Sequence, residues 1–501
     1  MSPSLPRVVS LKTLVDALEP ARIVGSLDGT IGHLADDSRD VRRDGLFVAL
    51  RGTQADGHAF IGAALAAGAR ALVVDERAAD VAVPPHVTLV AVADTRRALS
   101  RLAAVAFGRP SERLDVAGVT GTNGKTTTTH LVQAILNAAG VPCGRMGTLG
   151  AQFAGAMWPL DNTTPLALEL QATLAAMGER GARAVAIEVS SHALALERTA
   201  DVRFVFGVLT NVTRDHLDFH PSFEAYAAAK RSLFERVPAA ALCADDALGR
   251  AWADELRTLG KPVATFGFDP GADVRAHDVE LDANGSRFRL GSVAMRLRLP
   301  GRFNVQNALA AVCVARHFGI DDARSARALE AFESVPGRME RFSGGGVDVL
   351  VDYAHTPDAL AVVLRAAREA TRGRLWVVFG AGGDRDRGKR PAMGAVAEQL
   401  ADRVVVTSDN PRSETPSAIV DEILTGIGDR RGVTVELDRR RAIGRAIDAA
   451  APGDLVVVAG KGHETYQLVG AAVLHFDDRD EVRAALAQRT AGNAAAEPAS
   501  S

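Results

Sequence analysis

The stretch Gly118 to Thr128, GVTGTNGKTTT, constrains this chain more than any other part of it. It follows a largely apolar run, Leu114 to Val119, and leads into His130 to Ala139, where Leu131, Val132, Ile135 and Leu136 recur at the spacing of a helix packed on one face. Strand, glycine-rich loop and helix in that order form a phosphate-binding loop. Its backbone N–H groups point at an anion, the helix N-terminus adds positive potential, Lys125 reaches the outer phosphates, and the Thr126 hydroxyl suits Mg²⁺. The usual pattern begins with a glycine where this chain has Val119, and Gly118 sits one residue too early, so the loop is a variant. A glycine turn that only caps a helix is the competing account.

A chain of 501 residues exceeds one ordinary core, and its length suggests about three domains. With 47% hydrophobic and 24% charged residues and a formal net charge of -3, it has the composition of a globular protein without the electrostatic footprint of a nucleic-acid binder. Cys143, Cys243 and Cys313 are scattered without metal-ligand spacing, which fits buried apolar residues in a reduced compartment. No segment has the apolar length of a signal peptide or a membrane span, so the expected location is the cytoplasm, without membrane insertion.

Residues 1–110 read as a small α/β domain, with strands at Leu46 to Leu50, Ala71 to Val74 and Val87 to Val90, and helices near Phe60 to Ala67 and Arg96 to Phe107. The polar turns Asp37-Ser38-Arg39 and Gly52 to Gly57 suit hydrogen bonds to a sugar or base, although such turns are more often only turns. Residues 111–335 alternate strands and helices as a doubly wound sheet does. The apolar run Ala184 to Ile187 delivers Glu188, Ser190 and His192 to its carboxyl end, and Phe204 to Leu209 delivers Asn211, Asp215 and His216. Carboxyl ends of strands line one crevice in such sheets, so Glu188 and His216 are candidates to face phosphates and serve Mg²⁺. Alone, each fits a helix cap or a structural histidine equally well. Lys230, among alanines at Phe223 to Phe234, reads from spacing as a surface residue. Asn304 and Asn307 lie one helical turn apart, able to address one ligand, with helix capping by Asn304 as the alternative.

Pro336 to Gly346 has the composition of a linker and marks a boundary near Val335. Residues 336–490 read as a Rossmann-like domain in which four apolar strands end in DYAHTP, GAGGDRDRGKRP, TSDNPRSETP and AGKGHET. These loops hold Arg385, Lys389, Arg390, Arg412 and Lys461 beside Asp409 and Glu464, a mixture suited to a zwitterion such as an amino acid. Residues 491–501 have the composition of a disordered tail.

The motifs GTNGKTTT, EVSSHAL, TNVTRDHLD, GRFNVQNALAA, GRMER, DYAHTP, GGDRDRGKRP, DNPR and GKGHE, in this order over nearly the whole chain, resemble the ATP-dependent Mur ligases of peptidoglycan precursor synthesis. DNPR, Asp409 to Arg412, marks members that add meso-diaminopimelate rather than lysine, and a distal carboxylate on the acceptor explains the arginine. The resemblance implies that Gly121, Thr122, Asn123, Gly124, Lys125, Thr126 and Thr127 hold ATP, with Asn304, Arg338 and Asp352 completing the nucleotide site. It implies Mg²⁺ at Thr126, Glu188 and His216, and a carbamylated Lys230 that helps position the ion. Ser38 and the Thr53, Gln54, Ala55 turn match a uridine site, while Asn162, Thr163, Thr164, Ser190 and Arg198 match contacts to a UDP-linked muramoyl dipeptide. Arg385, Asp409, Asn410, Pro411, Arg412, Gly460 and Glu464 match the acceptor site. Two positions depart from the family: Leu196 stands where many members have Gln, and Thr53 where some have His.

The implied reaction is an ADP-forming ligation through an acyl phosphate by a monomer, with Lys125, Glu188, His216 and Lys230 at its centre and domain closure around three substrates. The rivals are a folylpolyglutamate or cyanophycin-type ligase and a P-loop ATPase of another class. The latter needs an apolar run ending in Asp, whereas Ala184 to Glu188 ends in Glu.

Overall fold

The computed structural model describes residues 3, 5–52, 55–282 and 284–496, and the α/β class expected from the sequence is what it shows. The chain divides into two compact units: residues 1–242 with 246–265, and residues 243–245 with 266–501.

The first unit holds a small antiparallel pair, Val9–Ser10 with Thr30–Ile31, and two larger sheets. The amino-terminal one has five strands in the order Arg22–Val24, Thr88–Val92, Ala71–Asp75, Leu46–Val48 and Leu34–Ala35, parallel except for the first. Its inner strands are short apolar runs because both faces are covered, while the edge strand Arg22–Val24 is exposed. Val48 and Val73 pack beneath Leu99 and Leu102 of the helix Thr95–Ala106. Phe47 and Leu72 meet Ile61 and Ala64 of the helix Ile61–Ala66 on the other face.

In the second sheet the strand Asp115–Thr120 lies between Ala184–Glu188 and Phe204–Leu209, parallel to both, and Cys143–Gly147 continues beyond Ala184–Glu188. This order brings the carboxyl ends of the strands expected to carry chemistry side by side. The helix after the first of them spans Lys125–Ala138, so it begins inside the glycine-rich loop.

The second unit opens on an antiparallel meander, Val274–Asp282, Gly285–Leu290 and Val293–Leu297, followed by the helices Arg302–His317 and Asp322–Ala331. A six-stranded sheet follows in the order Glu340–Gly344, Val347–Asp352, Leu455–Ala459, Leu375–Phe379, Arg403–Val406 and Val433–Val435. Only the first pair is antiparallel. Separate apolar clusters cover its two faces, one built on Val377 and Val457, the other on Val378 and Val458.

Two composition-based expectations give way here. Ser343 to Gly346 is no linker: the strand Glu340–Gly344 turns through Gly345 and Gly346, both at positive φ, and pairs back onto Val347–Asp352. The last helix, Asp478–Ala496, runs through much of the stretch read as a tail, since the alanines that lower its complexity are also the strongest helix formers.

Candidate active site

The glycine-rich loop is held from below by its neighbouring strand. The Asn123 N–H donates to Asn211 Oδ1 at 3.0 Å, and Asn211 Nδ2 and Thr210 Oγ1 donate to Asn123 O at 3.1 and 2.6 Å. Gly121, at φ 146°, passes so close to Thr210 that an added Cβ would lie 1.9 Å from its Oγ1. A side chain there would break the turn.

Lys125 Nζ folds over the loop and donates to Gly121 O at 2.9 Å and Thr122 O at 2.8 Å. The carbonyl of Gly121 also accepts from Lys230 Nζ at 2.8 Å. Lys230 is therefore not the surface residue that its spacing suggested. It is 1% exposed, lies 4.5 Å from the Tyr226 ring centroid, and is held well below the usual lysine range by burial and then by Lys125. Small alanines on its helix let that helix approach closely enough to enclose the amine. Tyr226, itself buried, shares a 2.9 Å hydrogen bond with Thr122 Oγ1, and burial raises its phenol.

At the end of the next strand, Glu188 is 1% exposed and accepts from Thr126 Oγ1 at 2.9 Å. Thr148 completes its surroundings, donating N–H to Oε1 at 2.9 Å and Oγ1 to Oε2 at 3.1 Å. Sequence reading missed Thr148; the signal was a Gly-Thr pair at the end of a buried strand, because only a glycine at 147 leaves the carboxylate its place.

His216, at φ 52°, sets its ring edge-on to His192, 4.8 Å between centroids, and burial lowers its pKa. Burial, then the neighbouring His216 and His220, brings His192 down to about 4.

Thr126 thus meets Glu188 beside the glycine-rich loop, Lys230 lies on the Gly121 carbonyl, and His216 is near enough to Lys125 and Lys230 to feel their charge. No group of three His, Cys, Asp or Glu side chains suited to a metal occurs among the described residues. Two oxygen donors within hydrogen-bond reach of each other fit Mg²⁺, which keeps several waters and takes phosphate oxygens for the rest. An unmodified Lys230 would add nothing to that donor set.

A second group of expected residues is joined by Thr164, whose Oγ1 donates to Glu188 O at 2.8 Å and accepts from the Ser190 N–H at 3.0 Å. Arg198 Nη1 donates to Thr164 O at 3.0 Å, and Thr163 Oγ1 meets Thr148 Oγ1 at 3.1 Å. Asn162 sits beside them in the same bend. A cavity of about 190 Å³ brings Leu196 and Arg198 together with Asp36, Arg51 and Gly52, so the Leu at the departing position forms apolar wall. Ser38 opens a short 3₁₀ turn capped by Asp37, and Ala55 accepts from the Gly52 N–H at 2.9 Å. Thr53 and Gln54 lie outside the described residues.

In the second unit, Asp352 is buried and accepts from the Met339 and Ala354 N–H groups, each at 2.8 Å. Burial raises its pKa against the pull of Arg338, which lies 4.5 Å from the Tyr353 ring centroid. Asn304 is not a cap: it lies within the first turn of its helix, 2% exposed, donating to Pro300 O at 2.8 Å and accepting from Asn307 at 3.2 Å.

The loop of Asp409, Asn410, Pro411 and Arg412 lies beside Gly460 and Glu464. A Cβ on Gly460 would be 3.2 Å from Asp409 Oδ2, and Asn410 Nδ2 donates to Glu464 Oε2 at 2.9 Å. Arg412 Nη1 donates to Gly383 O at 2.8 Å, and Arg385 lies on the same glycine turn. Burial alone would raise Asp409, but Lys461 and Arg439 outweigh it and hold the carboxyl low. Glu464 is raised by burial and then by Asp409.

Three charges assigned to a ligand from sequence are used internally. Arg390 is fully buried and bonds both Glu414 and Glu422. Lys461, also fully buried, bonds Asn410 Oδ1, and Lys389 Nζ donates to His355 O at 2.9 Å. Arg439, unmarked by any motif, braces the loop from behind through Ser408 O and Ala459 O, its charge matched by buried Asp478.

Three family descriptions match the chain in order: Mur ligase family, catalytic domain, over residues 30–106; Mur ligase middle domain over 119–315; and Mur ligase, glutamate ligase domain, over 337–462. A UDP-N-acetylmuramoyl-L-alanyl-D-glutamate--2,6-diaminopimelate ligase of Gloeobacter violaceus is 48% identical over 473 residues, covering 92% of this chain and 95% of that protein. The chain belongs to the Mur ligase family. A relative of the same name from Geobacter metallireducens is 43% identical, covering 95% of this chain and 98% of its own. A solved structure of that name superposes with a TM-score of 0.68 at 33% identity, covering 96% of this chain and 99% of the other. The Mur ligase arrangement of amino-terminal, middle and carboxyl-terminal domains thus accounts for the sheets described above.

Proposed function

We propose that this Mur ligase is an ADP-forming enzyme that joins meso-diaminopimelate to the D-glutamyl γ-carboxylate of UDP-N-acetylmuramoyl-L-alanyl-D-glutamate. Its relatives carry the name of that activity over nearly their whole length. The single observation that supports the acceptor is the loop of Asp409 to Arg412: a buried carboxylate for an ammonium, and beside it a guanidinium for a second carboxylate.

In the first step a substrate carboxylate oxygen attacks the γ-phosphorus of ATP, giving an acyl phosphate and ADP. The N–H groups of residues 121–127 cradle the phosphates, and Lys125 exchanges its loop carbonyls for them. Thr126 and Glu188 would hold Mg²⁺, with His216 and a carbamylated Lys230 behind them; the ion would neutralise charge on the transferring phosphoryl group. In the second step the acceptor amine attacks the acyl carbon, a tetrahedral intermediate expels phosphate, and the amine loses a proton as the amide forms.

Thr164, Ser190 and Arg198, with Asn162 and Thr163, present hydrogen-bonding groups to the muramoyl dipeptide, and Ser38 with Thr53, Gln54 and Ala55 to its uridine. Asn304, Arg338 and Asp352 serve the nucleotide. The enzyme acts as a cytoplasmic monomer.

Purified protein given ATP, Mg²⁺, the UDP-linked dipeptide and meso-diaminopimelate should release ADP and phosphate, and omission of any one should silence it. Equal efficiency with lysine would refute the acceptor assignment. Mass measurement in bicarbonate should show the carbamate on Lys230.

A further inference from the structure

Arg412 is a non-glycine residue at φ 52°, a conformation that persists only where the surroundings enforce it. What enforces it is the hairpin Tyr466–Val469 and Ala472–His475, which lies outside the apolar core of its sheet. The Arg412 N–H donates to Leu468 O at 3.0 Å, and the Gly470 N–H donates to Arg412 O at 2.7 Å, so the first hairpin strand pairs with the loop itself. Asn410 Oδ1 accepts from the Leu468 N–H at 3.0 Å. The Gln467 side chain donates to Asp409 O at 2.7 Å and to Ser408 Oγ at 3.1 Å. Residues 408, 409, 410 and 412 are each tied to the segment that follows Lys461.

Lys461 locks both parties. Its Nζ donates to Asn410 Oδ1 at 2.9 Å on the loop and to Tyr466 O at 2.7 Å on the hairpin, and lies 3.4 Å from Asp409 and 3.6 Å from Glu464. Lys461 thus stands between Asp409 and Glu464, with Arg439 and its partner Asp478 behind them.

From this geometry we infer that Gln467 and Lys461 are positioning residues for the acceptor. They clamp the Tyr466–Val469 strand to the Asp409–Arg412 loop and thereby hold the Arg412 guanidinium where a distal carboxylate must lie. The inference rests on the acceptor assignment made above and adds residues outside the loop to it.

Removing a wholly buried cation can prevent folding, so Gln467→Met, on a half-buried side chain, carries the test. Amide exchange in peptides covering residues 408–413 should speed up about tenfold, while peptides from the strands 375–379 and 455–459 stay as they were. The KM for meso-diaminopimelate should rise about tenfold, with those for ATP and the UDP-linked dipeptide within about twofold. Gln467→Glu, which keeps the size and loses the donor, should do the same. Unchanged exchange at 408–413, or equal acceleration throughout the sheet, overturns the inference, as does a shared rise in all three KM values. If the unaltered protein does not use diaminopimelate, the proposed function fails, while the exchange result still decides whether the clamp exists.

Discussion

Replacing Arg439 by Met removes a brace that touches no ligand and should nevertheless cost more stability than any active-site change. Arg439 and Asp478 are both 0% exposed and share two hydrogen bonds of 2.7 Å; the guanidinium also donates to Ser408 O at 3.2 Å and Ala459 O at 3.0 Å. The substitution strands a buried carboxylate and deprives two carbonyls of a donor. Breaking one partner of such a pair costs about 3–5 kcal/mol, and Met refills much of the space, so about 4 kcal/mol is expected. Against a domain stability of about 5–15 kcal/mol, this is a large share. Changing Asp478 to Leu in the same protein removes the stranded charge and should return about 2 kcal/mol, the remainder being the two carbonyls and the lost acid at a helix N-terminus. Trp376 is the only tryptophan of its unit, 8% exposed and bonded to Asp454, so with Trp158 and Trp252 replaced by Phe its fluorescence during urea unfolding reports this unit alone. A loss below about 1 kcal/mol, or a double variant no more stable than the single one, would refute the claim that the buried charge dominates.

Other substitutions separate the loops from one another. Gly121→Ala should lower ATP-dependent turnover about ten- to a hundredfold, in line with about 1–3 kcal/mol of backbone strain, with the protein still folded by circular dichroism. Arg412→Ala should raise the KM for diaminopimelate about a hundredfold and leave ATP binding, followed by calorimetry, within about twofold. Hydrogen bonds from Arg390, then from the Asp384 N–H, hold Glu414 down at about 2. A depressed carboxyl contributes stability above its unfolded value near 4.5 and loses it as pH falls toward 2. Urea midpoints measured across that window should fall less steeply with acidification in Glu414→Gln than in the unaltered protein.

The glycine-rich loop was legible as a strand-to-helix turn because its geometry rests on consecutive residues. Glycines, a lysine and a threonine at fixed spacing suffice to announce it. The placement of Glu188 at the end of one buried strand and His216 after another was legible for a related reason: hydrophobic patterning locates the carboxyl end of an apolar parallel strand. The charged loops at the strand ends of the second unit could be found as a cluster, but which of their charges pair internally could not. Of the charges in those four loops, Arg390 and Lys461 turned inward to satisfy other buried groups, and Arg439, equally buried, came from a helix without a motif.

Local patterning determined which segments are strands, where the glycine turns fall and which residue types reach the loops, since those depend on neighbours within a few positions. Tertiary structure alone decided that Lys230 is buried on Gly121, that Thr148 completes the shell of Glu188, and that a hairpin dozens of residues downstream clamps Arg412. Each of these is a pairing across sheets or loops, and whether a charged side chain meets water or a partner is settled only when distant segments pack.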